Sequence, residues 1–363
     1  MLIVRTPVRI SFGGGGTDLP AYYEQFGGAV LSTAINKHFY TILQKRTDGK
    51  VQVISSDLRA TETWEDITRM TAKGSELEIP FSVLKDLNSA VSVSLFLASE
   101  IPPGTGLGSS ASVCVNVLKT LTTYLRINMS KYELADRAFN IARNSLGKPV
   151  GKQDEYAAAF GGLNYMKFNR DGSVAVDPLM LDSAVLRELQ SCLMLFFTGA
   201  SHDSWTILVE QEKSTKQDYG IAVESLHEIR RLADDMRTAL LAADLERFGA
   251  LLDQGWQAKR RVSTKISTPR IDAMYQAARQ AGALGGKITG AGGGGFLLLF
   301  CPESQQAPVR AAMADFQARE MIFDFDFQGA QVVADDPFID GDELGGIRWT
   351  FSPARPSSHF VNS

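Results

Sequence analysis

Residues 102–112 read PPGTGLGSSAS and stand directly before VCVNVLKTLTTYLR, whose apolar residues recur at the three- and four-residue intervals of a helix. Glycines and hydroxyl side chains that lead into a helix expose backbone N–H groups at the positive end of the helix dipole, which favours anions. Gly104, Gly106 and Gly108 also allow positive φ angles and let a ligand approach the backbone closely. The stretch predicts a phosphate-binding loop at the start of a helix. The alternative is a glycine-rich turn without a ligand.

Two further glycine clusters, FGGGGTD at 12–18 and TGAGGGGF at 289–296, lie on either side of this stretch in the chain. The second matches the pattern GxGxxG, but a dinucleotide-binding turn leads into a helix, and the FLLLF that follows here is typical of a strand. A P-loop ends in Gly-Lys-Ser/Thr, whereas Gly108 is followed by Ser109. Both of these nucleotide-binding classes are therefore excluded. Taken alone, the cluster at 289–296 fits a hairpin between two strands equally well.

The composition is that of an ordinary globular protein with room for two domains: 363 residues, 44% of them hydrophobic and 21% charged. A net charge of −4 argues against a general binder of nucleic-acid backbones, which needs clustered Lys and Arg. The basic pairs Arg230–Arg231 and Arg260–Arg261 are isolated, which is typical of solvated helix faces. We therefore expect no nucleic-acid partner.

The cysteines and the apolar segments predict a cytoplasmic protein with no membrane partner. Cys114, Cys192 and Cys301 lie far apart, which indicates buried small side chains in a reducing compartment. The first residues, MLIVRTPVRIS, lack the basic and long apolar regions of a signal peptide. Apolar runs such as FLLLFC are far too short to span a bilayer. The histidines have no metal-ligand spacing, which predicts structural or solvated roles for His38, His202, His227 and His359.

The first half of the chain predicts strands followed by helices. Segments such as HFYTILQKR and KVQVISS are typical of strands, and TDG at 47–49 predicts a hairpin turn. One helix is predicted at 109–126. A second begins at Ser130, where Glu133 completes a capping box, and runs to about Ser145.

The second half has more helix, and the two predicted α/β domains join near 170–190. Its predicted elements are, in order, a strand at 191–197, helices over about 203–261 with a restart at Asp244, a helix opened by Thr268–Pro269 and closed by Gly282, the strand FLLLF, the helix VRAAMADFQAR and the strand FDFQGAQVVA. From Asp336 onward the composition is that of a loop.

Three motifs carry a resemblance to a known superfamily. TPVRISFGGGGTD, PPGTGLGSSAS and KITGAGGGGF occur in the order and approximate spacing of the three motifs of the GHMP kinases. Within that superfamily the chain is most similar to the bacterial D-glycero-D-manno-heptose 7-phosphate kinases, through RISFGGGGTDLPAYYEQFGGAVLSTAINK, GKQDEYAAAFGGLNY, FFTGAS and PRIDAMYQAARQAGALGGKITGAGGGGF. The resemblance covers roughly residues 3–334.

The resemblance implies a two-domain α/β (α+β) fold with the active site in the cleft between the domains. Residues 1–180 would form an N-terminal domain like the second domain of ribosomal protein S5. Residues 181–335 would form a ferredoxin-like C-terminal domain with extra helices. Residues 336–363 would be a tail outside the resemblance.

The resemblance also implies the residues of the site. Asp154 would face the acceptor hydroxyl as base or orienter, with Arg9 as a cation beside it. Ser110 would contact Mg²⁺. The loop around the ATP phosphates would comprise Pro103, Gly104, Thr105, Gly106, Leu107, Gly108, Ser109, Ser110 and Ala111. The sugar would be held by Gly15, Gly16, Thr17, Asp18, Gln153, Gly290, Ala291, Gly292 and Gly293.

The implied activity is phosphorylation of the anomeric hydroxyl of D-glycero-D-manno-heptose 7-phosphate to the 1,7-bisphosphate. ATP would be the co-substrate, Mg²⁺ the cofactor, and the enzyme a monomer or homodimer. Two alternatives stay open: a kinase for another sugar or sugar phosphate, and a relative that binds ATP and sugar without turnover.

One departure from the family bears on turnover. Ala142 stands where the family carries a glutamate that contacts Mg²⁺. Proteins normally hold Mg²⁺ with only one or two carboxylates, together with water and substrate phosphates, so the loss of one matters. Glu155, Asn140 or Asn144 would have to substitute. This departure favours the non-catalytic alternative, whereas Asp154, Arg9 and the loop at 102–112 count against it.

Two further departures concern the walls of the site. His202 occupies a position that is usually arginine, which bears on the choice of substrate. Gly13 replaces a common alanine, which is a minor change.

Overall fold

The structure, a computed structural model, describes residues 1–65, 75–199, 207–210, 212, 215 and 220–336. The helices are α1 (Pro20–Phe26), α2 (Glu78–Leu87), α3 (Ser109–Tyr124), α4 (Lys131–Asn140), α5 (Gln153–Phe160), α6 (Ser183–Ser191), α7 (Ile221–Leu241), α8 (Leu245–Val262), α9 (Pro269–Gln280) and α10 (Gln306–Ala314). The strands are β1 (Leu2–Gly13), β2 (Gly28–Lys45), β3 (Val51–Ser55), β4 (Ala60–Trp64), β5 (Val93–Ser99), β6 (Leu163–Phe168), β7 (Val174–Pro178), β8 (Leu193–Phe197), β9 (Gly285–Ile288), β10 (Phe296–Phe300), β11 (Arg319–Glu320) and β12 (Gln331–Asp335).

The larger sheet is organised around β2, whose 18 residues are long enough to pair with three strands. β1 runs antiparallel beside it, while β6 and β5 share its other edge, β6 along the first part and β5 along the last. The strand order is β12-β1-β2-β5-β3-β4, and β7 pairs with β6. The hairpin predicted at 47–49 is wrong, because β5 lies between β2 and β3. The turn residues reverse the chain but do not decide which strand becomes the neighbour.

The smaller sheet has the order β11-β8-β10-β9, with every pair antiparallel. The glycine cluster at 289–296 spans the β9–β10 hairpin, so the expectation that a strand follows the glycines is confirmed. β12 lies inside the predicted C-terminal range 181–335, yet it pairs with β1 in the larger sheet. The domain limits themselves stay a prediction.

Two hydrophobic cores share β1. Leu2 and Val4 pack in a core with α3, α4 and α5. Val8, Ile10 and Phe12 pack in a second core with α7, α8 and the smaller sheet. The register between β1 and β2 shifts between Pro7 and Val8, where β1 passes from one core to the other. The strand therefore links the two halves of the molecule at its centre.

The predicted helix starts are largely confirmed by their caps. Ser130 and Glu133 form the capping box of α4, and Asp244 and Thr268 accept hydrogen bonds as N-caps of α8 and α9. Gly282, with φ +114°, follows α9 as predicted. One feature was not predicted: after Asn140 the helix continues as a π-helical turn, Ile141–Ser145.

The C-terminal elements are shorter than their predictions. The helix predicted at 309–319 is α10, and the strand predicted at 325–334 is β12 alone, because bends between residues 327 and 330 precede it. The helix start near residue 203, His202, His359 and the tail beyond residue 336 lie outside the described residues. No helix in the described ranges has both the length and the apolarity needed to cross a membrane.

The described cysteines and histidines lie in the positions expected of structural residues. Cys114, Cys192 and Cys301 are buried free thiols. His38 is buried, with its Nε2 2.9 Å from Asp326 Oδ2. His227 Nδ1 lies 2.7 Å from the Tyr22 hydroxyl.

Candidate active site

A cleft of about 500 Å³ opens between β1, the loop at 103–108, the starts of α3 and α5, α8 and the β9–β10 hairpin. It gathers most of the residues predicted for the site. The predicted residues that line it are Arg9, Gly15, Gly16, Asp18, Pro103, Gly104, Gly106, Gly108, Ser109, Ser110, Ala111, Gln153, Asp154, Gly290 and Ala291. The predicted residues that do not line it are Thr17, Thr105, Leu107, Gly292 and Gly293.

The loop before α3 needs glycine partly for packing against the third glycine cluster. Gly106 has φ +79°, and a Cβ built on it would lie 2.4 Å from the carbonyl oxygen of Thr289. A Cβ on Gly290 would in turn lie 2.5 Å from the Cα of Gly106. Real Cβ atoms do not approach this closely, so the two loops can touch only where both lack side chains. The sequence predicted these glycines for ligand approach and did not reveal that the loops contact each other.

Arg9 joins this loop to the predicted catalytic carboxylate. The side chain is buried; its Nε lies 2.7 Å and its Nη2 2.6 Å from Oδ1 of Asp154. Its Nη1 donates to the carbonyl oxygen of Gly106 at 2.7 Å, and its backbone N–H donates to that of Leu107 at 2.9 Å. The Asp154 side chain keeps 27% of its surface exposed. The pair is thus a fixed cation next to a carboxylate that a ligand can reach.

Asp18 lies beside this pair and is held by its neighbours. Its carboxylate accepts hydrogen bonds from the backbone N–H of Gly16 at 2.9 Å and from the side chain of Gln153 at 3.0 Å. Burial, and then the nearby charge of Asp154, raise the pKa of Asp18. A carboxylate fixed in this way can accept hydrogen bonds from ligand hydroxyl groups with its remaining lone pairs.

Thr17 is not placed as predicted. Its hydroxyl is fully buried and donates to the carbonyl oxygens of Gly14 and Ala29, 2.8 and 3.0 Å away. It also accepts from the backbone N–H of Ala29. The side chain closes the turn between β1 and α1 and does not face the cleft. The expectation that it holds a sugar hydroxyl is therefore corrected.

Lys259 of α8 lines the cleft and was not predicted. It is only 8% exposed, and its Nζ donates to the carbonyl oxygen of Gly290 at 2.5 Å. Burial and then the charge of Arg9 lower the pKa of Lys259 to about 8. The next two residues, Arg260 and Arg261, are the exposed pair that the sequence predicted, and they form ion pairs with other surface side chains.

A sequence signal for Lys259 existed. It follows Leu252 and Trp256, both fully buried, at intervals of four and three, so the lysine shares their face of α8. Lys259 was not predicted as buried because the adjacent Arg260 and Arg261 make the segment resemble a solvated helix face.

Several buried polar atoms of the cleft have no hydrogen-bond partner. They share full burial and a position on the cleft wall: Ser11 Oγ, Ser109 Oγ, Gln153 Oε1 and Glu155 Oε2. Most buried polar atoms in proteins are hydrogen-bonded, and exceptions call for an unseen water, ion or ligand. A polar ligand bound in the cleft would satisfy these atoms.

The cleft fits a metal that arrives with a phosphate ligand better than a metal held by protein alone. In the described residues no three His, Cys, Asp or Glu side chains form a metal-binding group. Mg²⁺ is usually bound by one or two carboxylates with substrate phosphates and water. The Ser110 hydroxyl and the unpartnered oxygen of Glu155 are oxygen donors of the required kind on the cleft wall.

Comparison with known proteins gives two family matches. Residues 78–162 match the family model of the GHMP kinases N terminal domain. Residues 236–318 match the family model described as GHMP kinases C terminal. The chain is 32% identical over 332 residues to the D-glycero-alpha-D-manno-heptose 7-phosphate kinase of Campylobacter jejuni, which covers 90% of this chain and 97% of that protein.

Two further relatives are similar over most of this chain. A crystal structure of a D-glycero-D-manno-heptose 1-phosphate kinase from Bacteroides thetaiotaomicron has a TM-score of 0.77 and 27% identity, and the match covers 93% of this chain and 100% of that one. The L-fucokinase/L-fucose-1-P guanylyltransferase of Bacteroides fragilis is 26% identical over 84% of this chain, which corresponds to 35% of that longer protein.

Proposed function

Because this chain belongs to the GHMP kinases, we propose that it phosphorylates the anomeric hydroxyl of D-glycero-D-manno-heptose 7-phosphate with ATP. The product would be the 1,7-bisphosphate. Family membership and the heptose 7-phosphate kinase relative support a sugar phosphate kinase. The family and the fold class inferred from the sequence are thereby confirmed, while the roles of single residues are part of the proposal.

The observation that carries the proposal is the Arg9–Asp154 pair beside the glycine-rich loop. The ATP phosphates would lie against the loop at 103–111, where the start of α3 offers free N–H groups. Asp154, partly exposed beside the loop, would accept the proton of the attacking hydroxyl. The hydroxyl oxygen would bond to the γ-phosphorus as the bond to the β–γ bridging oxygen breaks, leaving ADP.

The remaining side chains of the cleft would position the two substrates. Asp18 and Gln153, already hydrogen-bonded to each other, would bind sugar hydroxyls. Arg9 and Lys259 place two cations on the cleft wall, and phosphoryl transfer depends chiefly on alignment and on stabilising charge. Thr17, Gly292 and Gly293 would support the fold of the site without touching the sugar.

Mg²⁺ would be held on the nucleotide by the hydroxyl of Ser110 and a neighbouring carboxylate. When bound, it would neutralise charge on the phosphates. We further propose a monomeric or homodimeric enzyme of the cytoplasm, in keeping with the three free, buried cysteines.

The first experiment is ³¹P NMR of the protein with MgATP and D-glycero-D-manno-heptose 7-phosphate. We expect a new anomeric phosphate signal together with ADP, and no such signal with Asp154→Asn. Because the asparagine keeps the shape of the side chain but cannot take the proton, loss of product in this variant tests the role of Asp154. Absence of product with the natural chain would contradict the heptose assignment.

A panel of sugars and sugar phosphates distinguishes the two alternatives. His202 is the reason to consider a different acceptor, and Ala142 is the reason to consider a protein without turnover. Phosphorylation of another sugar or sugar phosphate, with the heptose inert, would point to a kinase of different specificity. Tight ATP binding without turnover of any acceptor would point to a binding protein.

A further inference from the structure

Glu155 is a buried carboxylate that has no role in the proposed transfer of the phosphoryl group. It follows Asp154 in the first turn of α5 and is 1% exposed. Its Oε2 has no hydrogen-bond partner, and the side chain lines the cleft. Burying an ionised carboxylate is destabilising unless a cation or hydrogen bonds compensate for the lost hydration.

The surroundings of Glu155 are rich in negative charge. Asp154 and Asp18 both act on it electrostatically, and Arg9 is the cation that acts in the opposite direction. The Arg9 guanidinium, however, is already bonded to Asp154 at 2.6–2.7 Å. Among the described residues, none forms an ion pair with Glu155. A cation bound beside Glu155 would offset this negative charge.

Two other residues of the same cleft wall bear on a cation site. Ala142, on the π-helical turn Ile141–Ser145, lines the same cleft with a methyl group. Single π-helical turns often occur at functional sites. Ser109, at the start of α3, contributes a second buried oxygen without a partner. Two unpartnered oxygens beside a predicted phosphate loop are hard donors of the kind that Mg²⁺ and Mn²⁺ prefer.

We infer that Glu155 supplies the protein carboxylate for the divalent cation that accompanies ATP, replacing a ligand that Ala142 cannot provide. The inference rests on the proposed function, because the cation is the one bound to the nucleotide. The cation would then be bound without a carboxylate at position 142.

The test measures metal binding without sugar or turnover. Mn²⁺ replaces Mg²⁺, a non-hydrolysable ATP analogue replaces ATP, and free Mn²⁺ is followed by electron paramagnetic resonance. Glu155→Gln should weaken Mn²⁺ binding in the ternary complex at least tenfold. The control is Glu188→Gln, an exposed carboxylate of α6 outside the cleft, which should bind Mn²⁺ as the natural chain does. Equal Mn²⁺ affinity in Glu155→Gln and the natural chain would overturn the inference.

A second variant moves the carboxylate to another position on the cleft wall. Ala142→Glu added to Glu155→Gln should restore at least part of the Mn²⁺ affinity, since both positions line the same space. If thermal unfolding shows that Glu155→Gln does not fold, Glu155→Asp takes its place: it keeps the charge but shortens the reach, and unchanged Mn²⁺ affinity would then overturn the inference. Because no sugar is present, a failure of the ³¹P NMR experiment leaves this result intact and contradicts only the acceptor.

Discussion

Arg9 contacts two different acceptors with one side chain, the carboxylate of Asp154 and the carbonyl oxygen of Gly106. Lysine keeps the charge but has no planar fork that could reach both acceptors at once. We therefore expect Arg9→Lys to lower kcat by roughly 10²–10³-fold, the loss typical of removing one preorganised donor, with a smaller change in KM for ATP. Steady-state kinetics check this.

The matched control for this variant is Arg5→Lys on the same strand, where Arg5 hydrogen-bonds Gln328 outside the cleft. It should leave kcat within about twofold, as for a surface contact of little energetic weight. A full-rate Arg9→Lys enzyme would show that the bridge to the loop is dispensable.

Lys259 carries a pH dependence of stability whose sign follows from its burial. Its pKa is lowered from 10.5 to about 8, so between these values the unfolded chain binds more protons than the folded one. The penalty for burying the charge is therefore complete below pH 8 and disappears as the pH rises towards 10.5. We expect Lys259→Met to stabilise the fold at pH 7 by about 3 kcal/mol, on the scale of 1.36 kcal/mol per pKa unit.

Urea unfolding from pH 7 to 10.5 measures this effect as the difference between Lys259→Met and the natural chain. That difference should shrink steadily above pH 8. The neighbouring variant Arg260→Met, whose side chain lies on the surface, should show no such trend. Parallel curves for Lys259→Met and the natural chain would mean that the lysine is not penalised by burial.

At the scale of elements, the contact between two glycine-rich loops is a constraint on the ATP site. Gly106→Ala adds a Cβ 2.4 Å from the Thr289 carbonyl and also forces alanine to φ +79°. We expect it to weaken binding of an ATP analogue by more than tenfold, because the two loops must separate. Isothermal titration calorimetry measures this.

Gly49→Ala is the control that separates the effect of backbone strain from the effect of a steric clash with another loop. Gly49 has a similar φ of +74°, but a Cβ there would have nothing within 4 Å. This variant should lose only the roughly 1–2 kcal/mol of left-handed strain and bind the analogue normally. Equal binding by both alanine variants would show that the contact between the loops does not shape the site.

Local signals predicted the helix starts well, because an N-cap involves residues at most three positions apart. Ser130 with Glu133 and Thr268 with Pro269 are examples. The π-helical turn after Asn140 left no such signal, since its wider hydrogen bonding depends on what packs against the turn. Thr17 also left no local signal, because its hydroxyl donates a hydrogen bond to the carbonyl oxygen of Ala29, twelve residues away.

At the scale of the whole molecule, the sequence predicted the fold class and most of the cleft but not the order of the strands. Arg9 and Asp154 were implied by the resemblance of the segments around them to the GHMP kinases. The placement of β5 between β2 and β3, and the return of β12 to β1, are long-range pairings that no local pattern encodes. Lys259 could be predicted in part. The periodicity of α8 indicates that it lies on the buried face, but its contact with Gly290 depends on where the β9–β10 hairpin packs.

Phe248 connects the two sheets and so tests whether they unfold together. It is fully buried, 5.4 Å from Phe12 of β1 and 5.7 Å from Phe300 of β10, ring centre to ring centre. We expect Phe248→Ala to cost about 3–5 kcal/mol, as for a large core aromatic, and to shift one cooperative transition. Calorimetry should show a single peak.

The control for the aromatic contact is Phe96→Ala in β5, because Phe96 is 39% exposed. It should cost clearly less than the core substitution, since far less apolar surface is lost from the interior. Two separate peaks for Phe248→Ala would show that each sheet unfolds on its own.

The pairing of β12 with β1 also has a consequence for synthesis. The outer hydrogen-bonding edge of β1 at Leu2 stays uncovered until Asp335 has been synthesised, because the two residues pair. At a ribosome adding 5–20 residues per second, the synthesis of the intervening chain takes about 17–67 s. During this interval the nascent chain presents an open strand edge on which another chain can pair. We expect translation speed and chaperone supply, more than the stability of the finished enzyme, to set how much of it reaches the native state.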